Sequence, residues 1–202
     1  MFDHLTRSLI DPPLNSLGKS FHRIGLTANA MTLIGFFCGC LAFLMILLSH
    51  YALAAVFLCC NRLADGLDGA IARHSGLSDF GGFLDIVCDF IIYSGLVFSF
   101  GLSDSTKLPY SHFLVFSFIG PMVSFLAYAI MANKRKITTE RRGKKSFYYL
   151  GGICEGTETF AVLLLFCLLP QYFNPIALVF AILCWLTTFG RVYRAWIDFS
   201  LL

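Results

Sequence analysis

Apolar residues in this chain come in long blocks. Stretches of roughly 20 residues, the length needed to cross the hydrocarbon core of a bilayer, occupy 30–48, 52–73, 82–101, 111–132, 147–169 and 175–196. Turn residues or charges separate them: Ser49-His50, His74 to Phe80, Ser103 to Pro109, Asn133 to Lys145 and Pro170 to Pro175. The pattern predicts an all-α integral membrane protein with six transmembrane helices. Ahead of the first block, Leu14, Leu17, Phe21 and Ile24 recur at helical spacing with Lys19, His22 and Arg23 on other faces, which predicts an interfacial helix over about 10–24. Internal repetition is not apparent, so 1–202 reads as a single domain with 25–196 as its membrane bundle. Gly35-x-x-x-Gly39 and Gly152-x-x-x-Gly156 would each let two backbones approach closely.

Composition agrees with a lipid-solvated chain: 57% of residues are hydrophobic, 13% charged, and the mean hydropathy is +0.75. The net charge of +3 matters less than where the charges lie. All Lys and Arg except Lys107 and Arg62 fall on or near the connectors of one side, which puts both termini and that side in the cytosol, at the inner membrane in a bacterium. The basic 134–145 loop has no interleaved aromatic platform, so it reads as a topology determinant touching anionic lipid, and nucleic acid is not an expected partner. The eight cysteines lie in apolar runs without metal-site spacing and read as reduced core residues. The first strongly apolar run starts near Met31 and is long enough to span, so no cleavable signal peptide is expected.

Against this background, acids inside the spans stand out. Six of the twelve acidic residues, Asp65, Asp68, Asp85, Asp89, Glu155 and Glu158, fall within them, where an unpaired charge costs at least about 2.5 kcal/mol. The i, i+3 spacing of Asp65 and Asp68 and the i, i+4 spacing of Asp85 and Asp89 each place two carboxylates on one helical face. The short connection from His74 to Phe80 makes the two helices antiparallel neighbours, with Asp65 about 12 Å from the cytosolic helix end. Four carboxylates at similar depth cannot all stay ionised without cations, and no set of nearby Lys or Arg suffices. Divalent metal is the natural counter-ion, and an all-oxygen ligand set points to Mg²⁺ or Mn²⁺ and to a phosphate substrate. Gly69, Gly81 and Gly82 remove side chains where a bulky ligand would approach. Arg73, at the helix end, would either pair with a phosphate or anchor the helix at the interface.

These residues together, Asp65-x-x-Asp68-Gly69-x-x-Ala72-Arg73 followed by Gly81-x-x-x-Asp85-x-x-x-Asp89, resemble the signature of the CDP-alcohol phosphotransferases. The six expected spans and cytosolic termini also suit that family. The resemblance implies that Asp65, Asp68 and Asp85 bind two divalent ions and that Asp89 is the general base and a further candidate ligand. It also implies that Gly69, Ala72, Arg73 and Gly81, with the acids Asp65 and Asp68, line the nucleotide site. Asn29 and Thr32 resemble a Pro-Asn-x-x-Thr element that contacts the nucleotide, although Ala28 stands where many members have Pro and the gap from Arg73 to Gly81 is one residue short. The implied reaction is attack of an acceptor hydroxyl on the β-phosphorus of a CDP-alcohol lipid, with release of CMP, by an enzyme that is a homodimer.

The acceptor is less legible. Glu155 and Glu158 on one face of span five, and Arg191 and Arg194 on one face of span six, are the candidates for binding a small hydroxyl acceptor. Two acids would oppose a phosphate dianion and favour an amino alcohol or serine, while a polyol hydroxyl would also suit them; the structural alternative pairs each Glu with a deep arginine such as Arg62 or Arg191. An ion-coupled transporter or channel would also place carboxylates on facing helices. It would require a polar track through the outer half, which these spans lack.

Overall fold

A computed structural model describes residues 3–135 and 152–200. Seven α-helices carry the described chain, with no strand among those residues: α1 (Asp3–Arg23), α2 (Ala28–Leu47), α3 (Tyr51–Ser75), α4 (Asp79–Ser103), α5 (Leu108–Lys134), α6 (Gly156–Leu168) and α7 (Phe173–Ser200), with a 3₁₀ turn, Pro170–Tyr172, before the last. Among the described residues, four helical stretches are long and apolar enough to cross a membrane: α2, α4, α5 and Pro170–Ser200. α3 is 25 residues long but carries the charged site residues, and α6 is a shorter apolar helix of 13 residues. Among the described residues, the helix of expected span five thus begins at Gly156, with 152–155 outside it; most of the basic connector and the first part of 147–169 lie outside the described residues. The interfacial helix begins earlier than expected and runs through Pro12 and Pro13.

Two kinds of surface sort the apolar residues. The core joins α2 through α7 around Ile46, Leu58, Leu96 and the mutually packed rings of Phe100, Phe166 and Phe173. Other large apolar side chains point outward, with Phe37 65%, Ile130 63% and Phe189 63% exposed, an arrangement stable only where the surrounding solvent is itself apolar. The chain is an integral membrane protein.

The helix that shapes the site is α2. Both α3 and α4 make their closest backbone packing with α2 rather than with each other. Gly35 and Gly39 explain how: a Cβ on Gly35 would lie 3.0 Å from the Ala64 methyl of α3, and one on Gly39 2.5 Å from Ile92 Cδ1 of α4. The Asn61 amide donates to the Gly35 carbonyl at 2.9 Å and secures the first crossing. The antiparallel neighbours expected from the His74–Phe80 connection are therefore neighbours across a wedge. At the second glycine pair, Gly152 precedes α6 and meets Thr187 of α7 instead of pairing two helices in register.

α1 lies on α3. Gly18 meets Ala70, Leu14 meets Gly66, and Phe21 joins a small cluster with Met31, Ala64 and Ile71. Leu17 and Ile24 stay exposed. The packed face is thus Leu14, Gly18 and Phe21, not the full apolar series, because a glycine allows the closest approach between the two helices.

Candidate active site

Helix starts on one side of the molecule are built by short polar caps. Thr27 Oγ1 accepts from Ala30 N at 3.2 Å at the start of α2, and Ser78 Oγ accepts from Gly81 N at 3.0 Å at the start of α4. These caps bring the first turns of α2 and α4 together: a Cβ on Gly81 would lie 2.9 Å from Ser78 Oγ and 3.1 Å from Asn29 Oδ1. Gly81 is therefore required by the cap and the neighbouring amide, a local reason beside any ligand. A cavity of about 270 Å³ opens here, lined by Leu26 and Ala28 as well as His22, Thr27, Asn29 and Ser78.

Deeper in the wedge, α3 and α4 present the carboxylates. Oxygen atoms of Asp65, Asp68 and Asp85 all lie within 4.8 Å of one another. Asp68 is buried, and its Oδ2 accepts from Thr32 Oγ1 at 2.6 Å, so the α2 hydroxyl fixes that carboxylate. The same hydroxyl is within hydrogen-bonding distance of the Ala28 carbonyl, at 3.1 Å. Asp65 is paired with Arg62 one turn earlier. Three hard-oxygen donors from two helices suit a divalent cation, since bringing like charges this close inside a bundle is stable only with positive charge between them.

Asp89 stands outside that three-carboxylate group. Its Oδ2 accepts from Tyr93 Oη at 3.0 Å, one turn further along α4. Arg73 Nε donates to Asn15 Oδ1 of α1 at 2.8 Å, and His74 Nε2 lies 3.3 Å from the Asn15 carbonyl. Arg73 Nη1 reaches over Gly69, 3.7 Å from where a Cβ would stand, while Ala72 is half-buried beside it. Asn15 and Tyr93 lie outside the sequence motif. Tyr93 was recoverable from its i+4 spacing after Asp89, whereas Asn15 could be found only by knowing which face of α1 meets α3.

The acceptor candidates are arranged otherwise. Glu155 and Glu158 do not lie mid-span: Glu155 is the cap of α6 and Glu158 belongs to its first turn. Glu155 Oε1 accepts from Gly152 N at 2.8 Å, and Glu158 Oε2 from Glu155 N at 3.3 Å, within a capping box. Arg191 is buried, donates from Nη1 to the Pro121 carbonyl at 2.7 Å and lies near the Phe125 ring. Arg194 is exposed and donates to Asp198, which also accepts from Tyr128 Oη at 2.6 Å. The two arginines thus meet different surroundings despite their i, i+3 spacing.

Comparison with known proteins bears directly on this constellation. The chain is 42% identical over 198 residues to the inner membrane protein YnjF of Escherichia coli K12, covering 98% of this chain and 96% of that one. It is 31% identical over 195 residues to archaetidylinositol phosphate synthase of Pyrococcus horikoshii, covering 94% of each. Its fold matches a crystal structure of Mycobacterium tuberculosis phosphatidylinositol phosphate synthase with CDP-DAG bound, at a TM-score of 0.72 with 19% identity over 91% of this chain and 93% of that one. Residues 25–192, which contain every wedge carboxylate and its supporting hydroxyl, match the model of the CDP-alcohol phosphatidyltransferase family, and the chain belongs to that enzyme family.

Proposed function

We propose that this enzyme transfers a phosphatidyl group from CDP-diacylglycerol to a small hydroxyl acceptor, releasing CMP. The observation that carries the reading is the convergence of Asp65, Asp68 and Asp85, with oxygens within 4.8 Å, in a lipid-surrounded bundle. Family membership sets aside the transporter reading. In support, the M. tuberculosis synthase of like fold has been seen with CDP-DAG and, separately, with manganese and citrate, and the P. horikoshii relative is named for a phospholipid product.

Two divalent ions, Mg²⁺ or Mn²⁺, would be held by Asp65, Asp68 and Asp85, with Asp89 a further ligand candidate at the edge. The chemistry supplied by such ions, when bound, would be polarisation of the diphosphate and neutralisation of charge developing on the CMP leaving group. The chain's own residues do the rest. Thr32 and Arg62 hold Asp68 and Asp65 in place. Asn29, Gly69, Ala72, Arg73 and Gly81 form the nucleotide side, with the open cavity beside Asn29 giving room for the water-soluble half of the donor. Asp89 accepts the acceptor's hydroxyl proton; the acceptor oxygen bonds to the β-phosphorus as the bond from that phosphorus to the CMP oxygen breaks. The acceptor enters from the side of α6 and α7, where Glu155, Glu158, Arg191 and Arg194 are the candidate contacts. Helices α2 to α7 are read as six membrane helices, with termini and site on the cytosolic side as the Lys and Arg bias argues, and two copies forming a homodimer.

Purified protein in detergent should release CMP from CDP-diacylglycerol only when Mn²⁺ or Mg²⁺ and an acceptor are both supplied, assayed against L-serine, sn-glycerol 3-phosphate and myo-inositol 1-phosphate. Metal-independent release, or none with any acceptor, overturns the proposal.

A further inference from the structure

Tyr93 belongs to none of the motif positions, yet it is buried and its hydroxyl ends on Asp89 at the edge of the site. Its ring comes from α4, one turn beyond Asp89, and its hydroxyl donates to Asp89 Oδ2 at 3.0 Å. On its other side the hydroxyl faces the first residue of α6, lying 3.9 Å from where a Cβ on Gly156 would stand. Gly156 directly follows Glu155, whose carboxylate closes the Gly152 turn, so the start of α6 is itself rigidly built. A tyrosine has few rotatable bonds, and this one is 7% exposed, so its hydroxyl is a fixed point between the two elements.

We propose that Tyr93 is a positioning residue for the transfer reaction: its hydroxyl, packed beside the start of α6, holds the Asp89 carboxylate in one orientation and so sets where the acceptor hydroxyl meets its base. The inference rests on the reading of Asp89 as that base. With Oδ2 engaged by Tyr93, Oδ1 is the oxygen left to receive the acceptor proton. A freely rotating carboxylate would spend most of its time misaligned, and displacements of this size cost up to about a hundredfold in rate.

The test is Tyr93→Phe, which removes only the hydroxyl, assayed by Mn²⁺-dependent CMP release from CDP-diacylglycerol with the active member of the acceptor panel. Expected is a fall in kcat of about tenfold, with the KM for CDP-diacylglycerol and the thermal midpoint in detergent unchanged. Asp89→Asn and the double variant are measured in parallel, and the tyrosine change should cost nothing further once Asp89 is neutral. A kcat within twofold of wild type, an equal additional loss in the Asp89→Asn background, or a lowered midpoint with both KM values disturbed overturns the positioning role. If Asp89→Asn itself keeps full kcat, the base reading fails and this inference goes with it; loss in Asp89→Asn without loss in Tyr93→Phe sinks the inference alone.

Discussion

Two acidic pairs in this molecule look alike in sequence and end in opposite situations. Asp65 with Asp68, and Glu155 with Glu158, are both i, i+3 pairs embedded in apolar stretches. The aspartates are drawn into a wedge with Asp85, three carboxylates sharing a space 4.8 Å across. The glutamates turn back on their own backbone and satisfy amide groups at the start of α6. An acid placed where a helix begins finds donors within three residues, because the first four N–H groups have no helical partner. An acid in mid-helix has no such free amides, and when a second helix adds a third carboxylate to such a pair the group needs positive charge. Position relative to a helix end, rather than residue type or spacing, separates acids that cap backbone amides from acids that gather into a candidate metal site.

The largest expected effect tests the wedge. Asp65→Asn or Asp85→Asn should lower turnover at least about a hundredfold, the scale of charge stabilisation that metal supplies, and weaken Mn²⁺ binding measured by titration, without lowering the thermal midpoint in detergent. Near-normal activity would remove these acids from the metal-binding role. Next, Gly39→Val should push α4 away from α2 at Ile92 and cost about 1–3 kcal/mol of stability through overpacking, with Mn²⁺ affinity falling alongside. Unchanged affinity would show that the wedge geometry does not set the carboxylate spacing.

A smaller effect is expected at α6. Glu158→Ala should cost about 1 kcal/mol as the cap is lost, whereas Glu158→Gln should restore most of it because an amide oxygen still accepts from Glu155 N. If the carboxylate instead binds the acceptor, Glu158→Gln would raise the acceptor KM roughly tenfold at unchanged stability. The smallest effect concerns Asp104, a locally satisfied acid just past the end of α4. Hydrogen bonds from Thr106 Oγ1 at 2.7 Å and Thr106 N at 2.9 Å, with Lys107 nearby, hold its carboxyl below the usual range. Its contribution is therefore complete above an unfolded value of about 3.9 and is lost as pH falls through the lower folded value. Thermal midpoints measured from neutral pH down to the acid range should show a slight acid-side decline that Asp104→Asn removes; a decline equal in both proteins would assign it elsewhere.

Much of the architecture was written in the chain. The long apolar blocks foretold helices because a segment crossing lipid must satisfy its backbone within itself. The i, i+3 and i, i+4 acids foretold a shared face because helical spacing is fixed. The start of α6 was misjudged for a physical reason: Gly152 to Glu155 is apolar enough to extend a hydrophobic window, and hydropathy does not register a capping box. The α1 face was half legible, since Leu14 and Phe21 pack while Leu17 and Ile24 remain outside. Hydrophobicity cannot tell a helix-facing from a lipid-facing side chain when both surroundings are apolar.

By itself, then, the sequence determined a helical membrane protein, the residues of its carboxylate motif and the family to which they belong. Tertiary structure alone decided that α2 wedges between α3 and α4 at Gly35 and Gly39, that Thr32 holds Asp68, and that Asn15 reaches Arg73. It also decided that Tyr93 stands between Asp89 and α6. Spacing along one helix is a local property that the chain carries residue by residue. Which faces of different helices meet depends on small residues permitting close approach across the bundle, and that is settled only when all the helices pack at once.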